Sequence, residues 1–367
     1  MTNQSSVEQA KESHIKVIES QGIISGRFDN PRRIDSDAGD GNFSLVFKAE
    51  DRSKKNRAVI LKFYNPLQMG DSYRLECFQR ESDMLKKLHG QRNILPLIQE
   101  KVSFTVTLEA ETKEGKIQVP WQYMYYVTPA AKMSVKDYIY NERSTNYLHK
   151  ILIFREMCKA IQRIHAQQIC HRDVKPGNFL IYKSRYLCLS DFGTARPFGE
   201  RSNPIIENYS GPVGDLRYSA PEILCGLHFQ DVCNYRADIY GLGVVLFELF
   251  TKNVLGTIVF NDRNDLSVHF HTIPEHNREE IYFEVIDTFS RDRVLPSILD
   301  IDNTIPKVIA REVDVLYKSM AAIDYRKREA DFKKIFTKIN LCEKIIRYQK
   351  QYEIWKQKKS QKKSEGV

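Results

Sequence analysis

Apolar positions along the chain change rhythm near residue 130. From Asn42 to Glu50 and from Arg57 to Tyr64, β-branched and aromatic residues alternate with others across the polar stretch Asp51–Asn56, which predicts a strand hairpin. Residues 72–89 carry Leu75, Phe78, Met84, Leu85 and Leu88 at spacings that predict an amphipathic helix. Two further strands are predicted near 94–109 and 117–128, joined around Lys113–Gly115. After Pro129 the spacing becomes helical: Leu148, Leu152, Met157, Ile161 and Ile164 predict a helix over 147–168. Short loops and strands follow over 169–193. Ile239 to Phe250 is almost wholly apolar, as a buried helix is, and 307–345 reads as more helix. Residues 1–26 are rich in Gln, Ser and Glu with a weak rhythm at Val7, Ala10, Ile15 and Ile18, which predicts a helical or frayed extension. The pattern is that of an α+β chain, strand-rich first and helix-rich second, with a seam at 129–134.

Composition narrows the class. Hydrophobic residues are 42% and charged residues 28% of 367, values that exclude a disordered chain. No run of about 18 apolar residues is present, so no membrane span is expected. Met1 to Ala10 is polar and lacks the apolar core of a secretory signal. Seven scattered cysteines, none spaced CxxC, argue against a disulfide framework and a zinc site and point to a cytoplasmic protein with reduced thiols. The net charge is +9, and from Glu343 onward eight basic residues face three acidic ones. The rest is close to neutral. That excludes a globally basic nucleic-acid-binding domain and leaves the tail as the one segment suited to anionic partners.

The chemistry is concentrated in three short runs. His171-Arg172-Asp173-Val174-Lys175-Pro176-Gly177-Asn178 is followed thirteen residues after Asn178 by Asp191-Phe192-Gly193, and later by Ala220-Pro221-Glu222. In this order and spacing the chain resembles the eukaryotic-type serine/threonine protein kinases, whose signatures are HRD…N, DFG and APE. The resemblance implies a bilobal fold with a strand-rich N-lobe, 27–128, and a helical C-lobe, 129–340. A 1–26 extension and a basic tail, 341–367, would flank this 27–340 catalytic domain. It also implies ATP-dependent, Mg²⁺-dependent phosphoryl transfer to serine or threonine of protein substrates, this chain included. The alternative is a pseudokinase, a scaffold on the same fold. Lys175-Pro176 after Asp173 resembles the serine/threonine branch in particular.

Residue roles follow from that resemblance. Gly39-Asp40-Gly41-Asn42-Phe43-Ser44-Leu45-Val46 is similar to the phosphate-covering GxGxxGxV, with Ser44 at the third glycine position. Lys62, in Val59-Ile60-Leu61-Lys62, is the counterpart of the phosphate-binding strand lysine. Glu81 is its carboxylate partner, with Glu76 and Asp83 as competitors. Asp191 and Asn178 would hold Mg²⁺, Asp173 would take or orient the substrate hydroxyl proton, and Lys175 would reach the γ-phosphate. Backbone groups of Thr128 to Ala130 would hold adenine. Val46, Ile60 and Leu180 would sandwich it, and Val127 would be the gatekeeper beside it. Leu85, His171 and Phe192 would form a buried spine, Glu222 would pair with Arg328, and Asp238 would tether the catalytic loop. One departure stands out: Asp215 occupies the position where the family usually has threonine, and its carboxylate is expected to hold Lys175.

Overall fold

A computed structural model of the chain describes residues 2–34, 44–112, 115–141, 146–183, 186–199, 214–259, 270 and 272–364. Gly39 and Gly41 lie outside the described residues. The chain forms two compact units, one of residues 1–132 with 190–195 and 201–210, the other of 133–189, 196–200 and 211–367.

The first unit is an antiparallel sheet between two helices. After α1 (Thr2–Ser20) come β1 (Ile23–Ile24), β2 (Phe28–Arg33), β3 (Ser44–Asp51), β4 (Arg57–Tyr64), α2 (Ser72–Lys87), β5 (Gln99–Thr112) and β6 (Gly115–Pro129), in the sheet order β1-β2-β3-β4-β6-β5. Strand alternation gives the sheet two different faces. Leu45, Phe47, Ala49, Val59, Leu61, Phe63, Tyr123, Tyr125 and Val127 form one core with Ile15 and Ile18 of α1. The alternate residues Ser44, Val46, Ile60, Lys62, Tyr126 and Thr128 occupy the other face, where α2 lies.

Asp71 starts α2 by accepting the Arg74 N–H at 3.0 Å, and Lys86 and Lys87 suit the negative end of its dipole. The expected extension is part of this unit. Ile18 is fully buried, His14 Nδ1 lies 2.7 Å from the Tyr123 hydroxyl, and Glu19 Oε1 accepts the Arg33 N–H at 2.8 Å. The boundary drawn at 26/27 therefore cuts through one hydrophobic core.

In the second unit, β7 (Met133–Ser134), α3 (Val135–Asn141), α4 (Tyr147–Ala166), β8 (Ile169–Cys170), β9 (Phe179–Lys183), β10 (Tyr186–Leu189) and β11 (Arg196–Pro197) precede the main helices. These are α5 (Pro221–Leu224), α6 (Asp231–Thr251), α7 (Leu255–Val259), α8 (Glu275–Asp292), α9 (Ile298–Ile301), α10 (Lys307–Met320) and α11 (Phe332–Ser364). The apolar run 239–250 is the buried length of α6, as its composition predicts. Gly241 lets α6 approach the loop after β8, since a Cβ there would meet Val174 Cβ at 2.8 Å. A buried ion pair, Arg328 Nη1 to Glu222 Oε1 at 2.5 Å, joins the α5 turn to the segment before α11, with both side chains fully inaccessible. Among the described residues no helix is long and apolar enough to cross a membrane.

The boundary at 340/341 also falls inside a packed element. α11 runs unbroken through it, Cys342 and Ile346 are buried, and Glu343 is gripped by Arg155 of α4 at 2.5 Å and by Arg347 at 2.7 Å. Burial opposes ionisation of Glu343, but the bonds from Arg347 and Arg155 hold its carboxyl below the usual range. Truncation after Leu341 is expected to lower the melting temperature by about 6–12 °C. Losing the burial of Ile346 and Cys342 costs roughly 3 kcal/mol, and each kcal/mol is worth about 2–4 °C at this size. Truncation after Lys350 is expected to leave it within about 2 °C. Scanning calorimetry of the two deletions distinguishes these outcomes.

Candidate active site

On the open face of the first unit, the β3–β4 register sets Val46 opposite Lys62, and the β4–β6 register sets Ile60 opposite Thr128 and Lys62 opposite Tyr126. Lys62 projects from this face into α2, where its Nζ meets Glu81 Oε2 at 2.5 Å. Of the three carboxylates considered from sequence, Glu81 is the partner; Glu76 instead pairs with Arg80 at 3.6 Å and Asp83 with Lys101 at 3.9 Å. Asp191 Oδ1 stands 3.6 Å from the same Nζ. Burial works against the Lys62 charge, but Glu81 and Asp191 outweigh it and hold the ammonium above its ordinary pKa. Burial pushes the Glu81 carboxyl upward, with Lys62 opposing. The group sets two carboxylates around one buried lysine.

Asp191 adopts a left-handed backbone, φ 63°, an uncommon conformation for a residue with a side chain. Its neighbours hold it there. Phe192 is fully buried, and Gly193 lies so close to α2 that a Cβ would come 3.0 Å from the Cys77 carbonyl oxygen. A side chain at 193 would press on the α2 backbone, and the Asp191 carboxylate, 43% exposed, is left facing outward.

The register corrects one expectation. Val127 lies on the α1 face, in the core with Leu45 and Leu61, so it is not the residue beside the lysine. Tyr126 is, directly across from Lys62, and Thr128 shares that face across from Ile60; both are buried. The Ala130 N–H donates to the Ala58 carbonyl at 3.2 Å, so this expected adenine donor is already engaged within the sheet. Antiparallel alternation makes Ile60–Thr128 a bonded pair as well and turns the Pro129 carbonyl away from β4. Val127 also faces away from β4, its carbonyl accepting Ile98 N–H at 2.8 Å. The Thr128 and Ala130 backbone groups that face β4 are thus engaged within the sheet.

In the second unit the loop after β8 carries Asp173, Lys175 and Asn178. Asp173 Oδ2 accepts Asn178 Nδ2 at 2.9 Å and lies 2.7 Å from Lys175 Nζ. Asn178 Nδ2 also donates to the Asp173 carbonyl at 2.8 Å, which fixes the amide orientation. Asp238, buried in α6, accepts the His171 and Arg172 N–H groups at 2.8 Å each, as the resemblance implies. His165 Nε2 bonds the same carboxylate at 2.8 Å. Nothing in its sequence surroundings marks His165, which in one dimension is simply a helical histidine. Arg172, like Asp191, takes a positive φ, 69°. Leu180 lies in β9 opposite Ser134 and Cys188, half-buried.

Asp215 does not hold Lys175. Its carboxylate takes Arg217, by Nε at 3.0 Å and Nη2 at 2.6 Å, and its own backbone N–H donates to Asp173 Oδ1 at 2.9 Å. Burial opposes its ionisation, yet the Arg217 bonds keep the carboxyl below the usual range. The physical reason is proximity: Arg217 is two residues away and offers a planar fork, whereas Lys175 already has Asp173. Main chain at 215 thus supplies the contact to Asp173 that a threonine hydroxyl would make. Asp215→Ala is accordingly expected to change kcat by less than about fivefold, the value of one part-exposed ion pair. Steady-state kinetics at saturating ATP is the check.

Each unit carries residues whose chemistry suits a hard divalent cation or a phosphate: in the first, Asp191 offers an outward carboxylate and Lys62 a fixed positive charge; in the second, Asn178 offers an amide oxygen oriented by its bonds to Asp173. The protein kinase domain model matches residues 33–347. The serine/threonine-protein kinase PknB of Mycobacterium tuberculosis is 29% identical over 283 residues, covering 77% of this chain and 40% of that protein. The probable serine/threonine-protein kinase CPE1738 of Clostridium perfringens is 28% identical over 240 residues, 65% of this chain and 30% of that protein. PknD of Mycobacterium tuberculosis is 29% identical over 213 residues, 58% of this chain and 28% of that protein. The chain thus spans less than half the length of these relatives. A lysine–glutamate pair over a DFG turn, an aspartate and asparagine bonded within an HRD loop, and a family model covering both units agree: the chain belongs to the protein kinase domain family.

Proposed function

We propose that the protein transfers the γ-phosphoryl group of ATP to serine or threonine hydroxyls of protein substrates, itself included, on a bilobal catalytic domain whose lobes correspond to the two units. The observation carrying this reading is the intact polar set: Lys62 on Glu81 at 2.5 Å, and Asp173 bonded to Asn178 and Lys175. A scaffold that only bound a partner would have no use for a buried lysine–glutamate pair, whose desolvation is costly.

In this reading Lys62, steadied by Glu81, holds the α- and β-phosphates, while Ser44 and the glycine-rich segment around Gly39 and Gly41 cover them. Val46, Ile60 and Leu180 enclose adenine, and the hinge segment that carries Thr128 and Ala130 lies along its edge, with their β4-facing backbone groups kept within the sheet. Mg²⁺, held by Asp191 and Asn178, would neutralise charge on the β- and γ-phosphates. Asp173 orients the substrate hydroxyl and takes its proton as the oxygen attacks phosphorus. Lys175, two residues on, balances charge beside it. The seven cysteines are all free and buried, in keeping with a reducing compartment such as the cytoplasm.

The test is incubation with labelled ATP and Mg²⁺, with and without a generic basic protein, followed by phosphoamino-acid analysis. Label on serine or threonine, lost on chelation of the metal, is the expected result. Nucleotide binding without any transfer would establish the scaffold instead, and label confined to tyrosine would overturn the specificity.

A further inference from the structure

The second unit buries one amine for which phosphoryl transfer has no use. Lys150 lies in the first turn of α4, its backbone N–H donating to the Asn146 carbonyl at 3.1 Å, and only 9% of the residue is exposed. Its Nζ sits against two nearly parallel rings, 5.8 Å from the centroid of Tyr147 and 5.4 Å from that of Phe250 in α6. Among the described residues no oxygen accepts a hydrogen bond from this nitrogen and no carboxylate forms an ion pair with it. Lys252, exposed at the C-terminal cap of α6, is the charge that acts on it most, and Asp302, just past α9, acts less and with opposite sign. The positive end of the α4 dipole is a further repulsion. Ring faces attract a cation, but burial and Lys252 prevail and pull the amine down to about 8. At neutral pH about one such amine in ten is unprotonated, against fewer than about one in a thousand for an ordinary lysine.

We propose that Lys150 is a carbamate-forming site, its amine taking up carbon dioxide and the product being held by Lys252 and the N-terminal end of α4. The nitrogen lone pair attacks the carbon of CO₂ and forms an N–C bond. One C–O π bond breaks and leaves its electrons on oxygen, and a proton passes from nitrogen to solvent. The burial selects the reagent: an uncharged molecule of three atoms needs far less room between two rings than an acyl phosphate or a thioester. The product also inverts the local electrostatics. An ammonium that meets Lys252 and a helix N-terminus becomes a carboxylate that meets both, and two repulsions turn into attractions. Asp302 is the charge that opposes the product, and it is the lesser of the two influences on this position.

The test is to equilibrate the full chain with ¹³C-labelled bicarbonate near neutral pH, fix carbamates with a trialkyloxonium salt, and locate them by mass spectrometry of the digest. Lys150 is expected to carry the trapped group at an occupancy at least about tenfold above that of exposed lysines such as Lys54 and Lys55, whose free-amine fraction is far smaller. Lys252→Gln should lower the occupancy about three- to tenfold, since it removes both the charge that frees the amine and the partner of the product. Lys150→Arg keeps a cation between the rings but is never deprotonated. It should remove one carbamate resonance from the ¹³C spectrum and leave that of the α-amino group in place. Trapping at Lys150 no higher than at Lys54, an occupancy unchanged in Lys252→Gln, or a ¹³C spectrum unaltered by Lys150→Arg would overturn the proposal.

Discussion

Asp173→Asn is expected to lower kcat by about 10²–10⁴-fold, the range for removing a positioned general base, while leaving nucleotide affinity within a few-fold. The carboxylate is the hub of its loop: one oxygen accepts the Asp215 N–H and the other meets Asn178 and Lys175. An amide of the same shape keeps some of these bonds, so the fold survives. It cannot take a proton from the substrate hydroxyl, and its NH₂ group meets Lys175 or Asn178 as donor against donor. The check is kcat and KM for ATP in the phosphoryl-transfer assay, beside a nucleotide-binding measurement. Equal losses in binding and turnover would show the loop merely disordered.

Arg328→Met is expected to destabilise the second unit by about 3–5 kcal/mol, the cost of leaving one member of a buried ion pair alone. Glu222 would remain fully buried without its cation, and the Ala322 and Arg236 carbonyls would lose their donors. The melting temperature should fall by roughly ten degrees or more. Replacing both residues, Glu222→Leu with Arg328→Met, removes the uncompensated charge and should recover part of the loss. Calorimetry of the single and double variants measures this directly, and a single variant as stable as wild type would show that the pair is not needed for folding.

What the sequence reveals and what it hides divide along a physical line. Asp173, Asn178 and Asp191 are legible because their chemistry is packed into short runs whose spacing is fixed by one loop and one turn. Lys62 and Glu81 are legible because a strand lysine in this setting needs a carboxylate, and the helix register leaves few choices. Val127 misleads because a one-residue shift in a strand exchanges its two faces, and only pairing with β4 sets that register. β2 is absent from the predicted strands; it holds Asn30-Pro31, where the structure interrupts the β2–β3 pairing between Asp29 and Arg32. α1 looks like a loose extension because its docking rests on few buried side chains, Ile15 and Ile18 foremost. Asp215 is misread for a different reason: which of two cations a carboxylate takes is decided by rotamers and loop path, and neither is written in spacing. The tail boundary follows the charge, whereas the helix follows Cys342 and Ile346.

The unbroken course of α11 gives the basic tail a mechanical character. From Arg347 to Ser364 the helix extends about 25 Å past its last described buried side chain. Its root is clamped to α4 through Arg155 and Glu343, and α4 ends three residues before Ile169, just ahead of His171 and Asp173. Such an element is a lever, with a long charged arm outside and a short fulcrum on the helix that delivers the catalytic loop. Torque applied to the arm by a polyanion would be felt first at the Arg155–Glu343 clamp. Hydrogen exchange of the amides from Ile164 to Asp173, with and without heparin, measures how much of that load reaches the loop; unchanged exchange would show that the arm turns freely about its root.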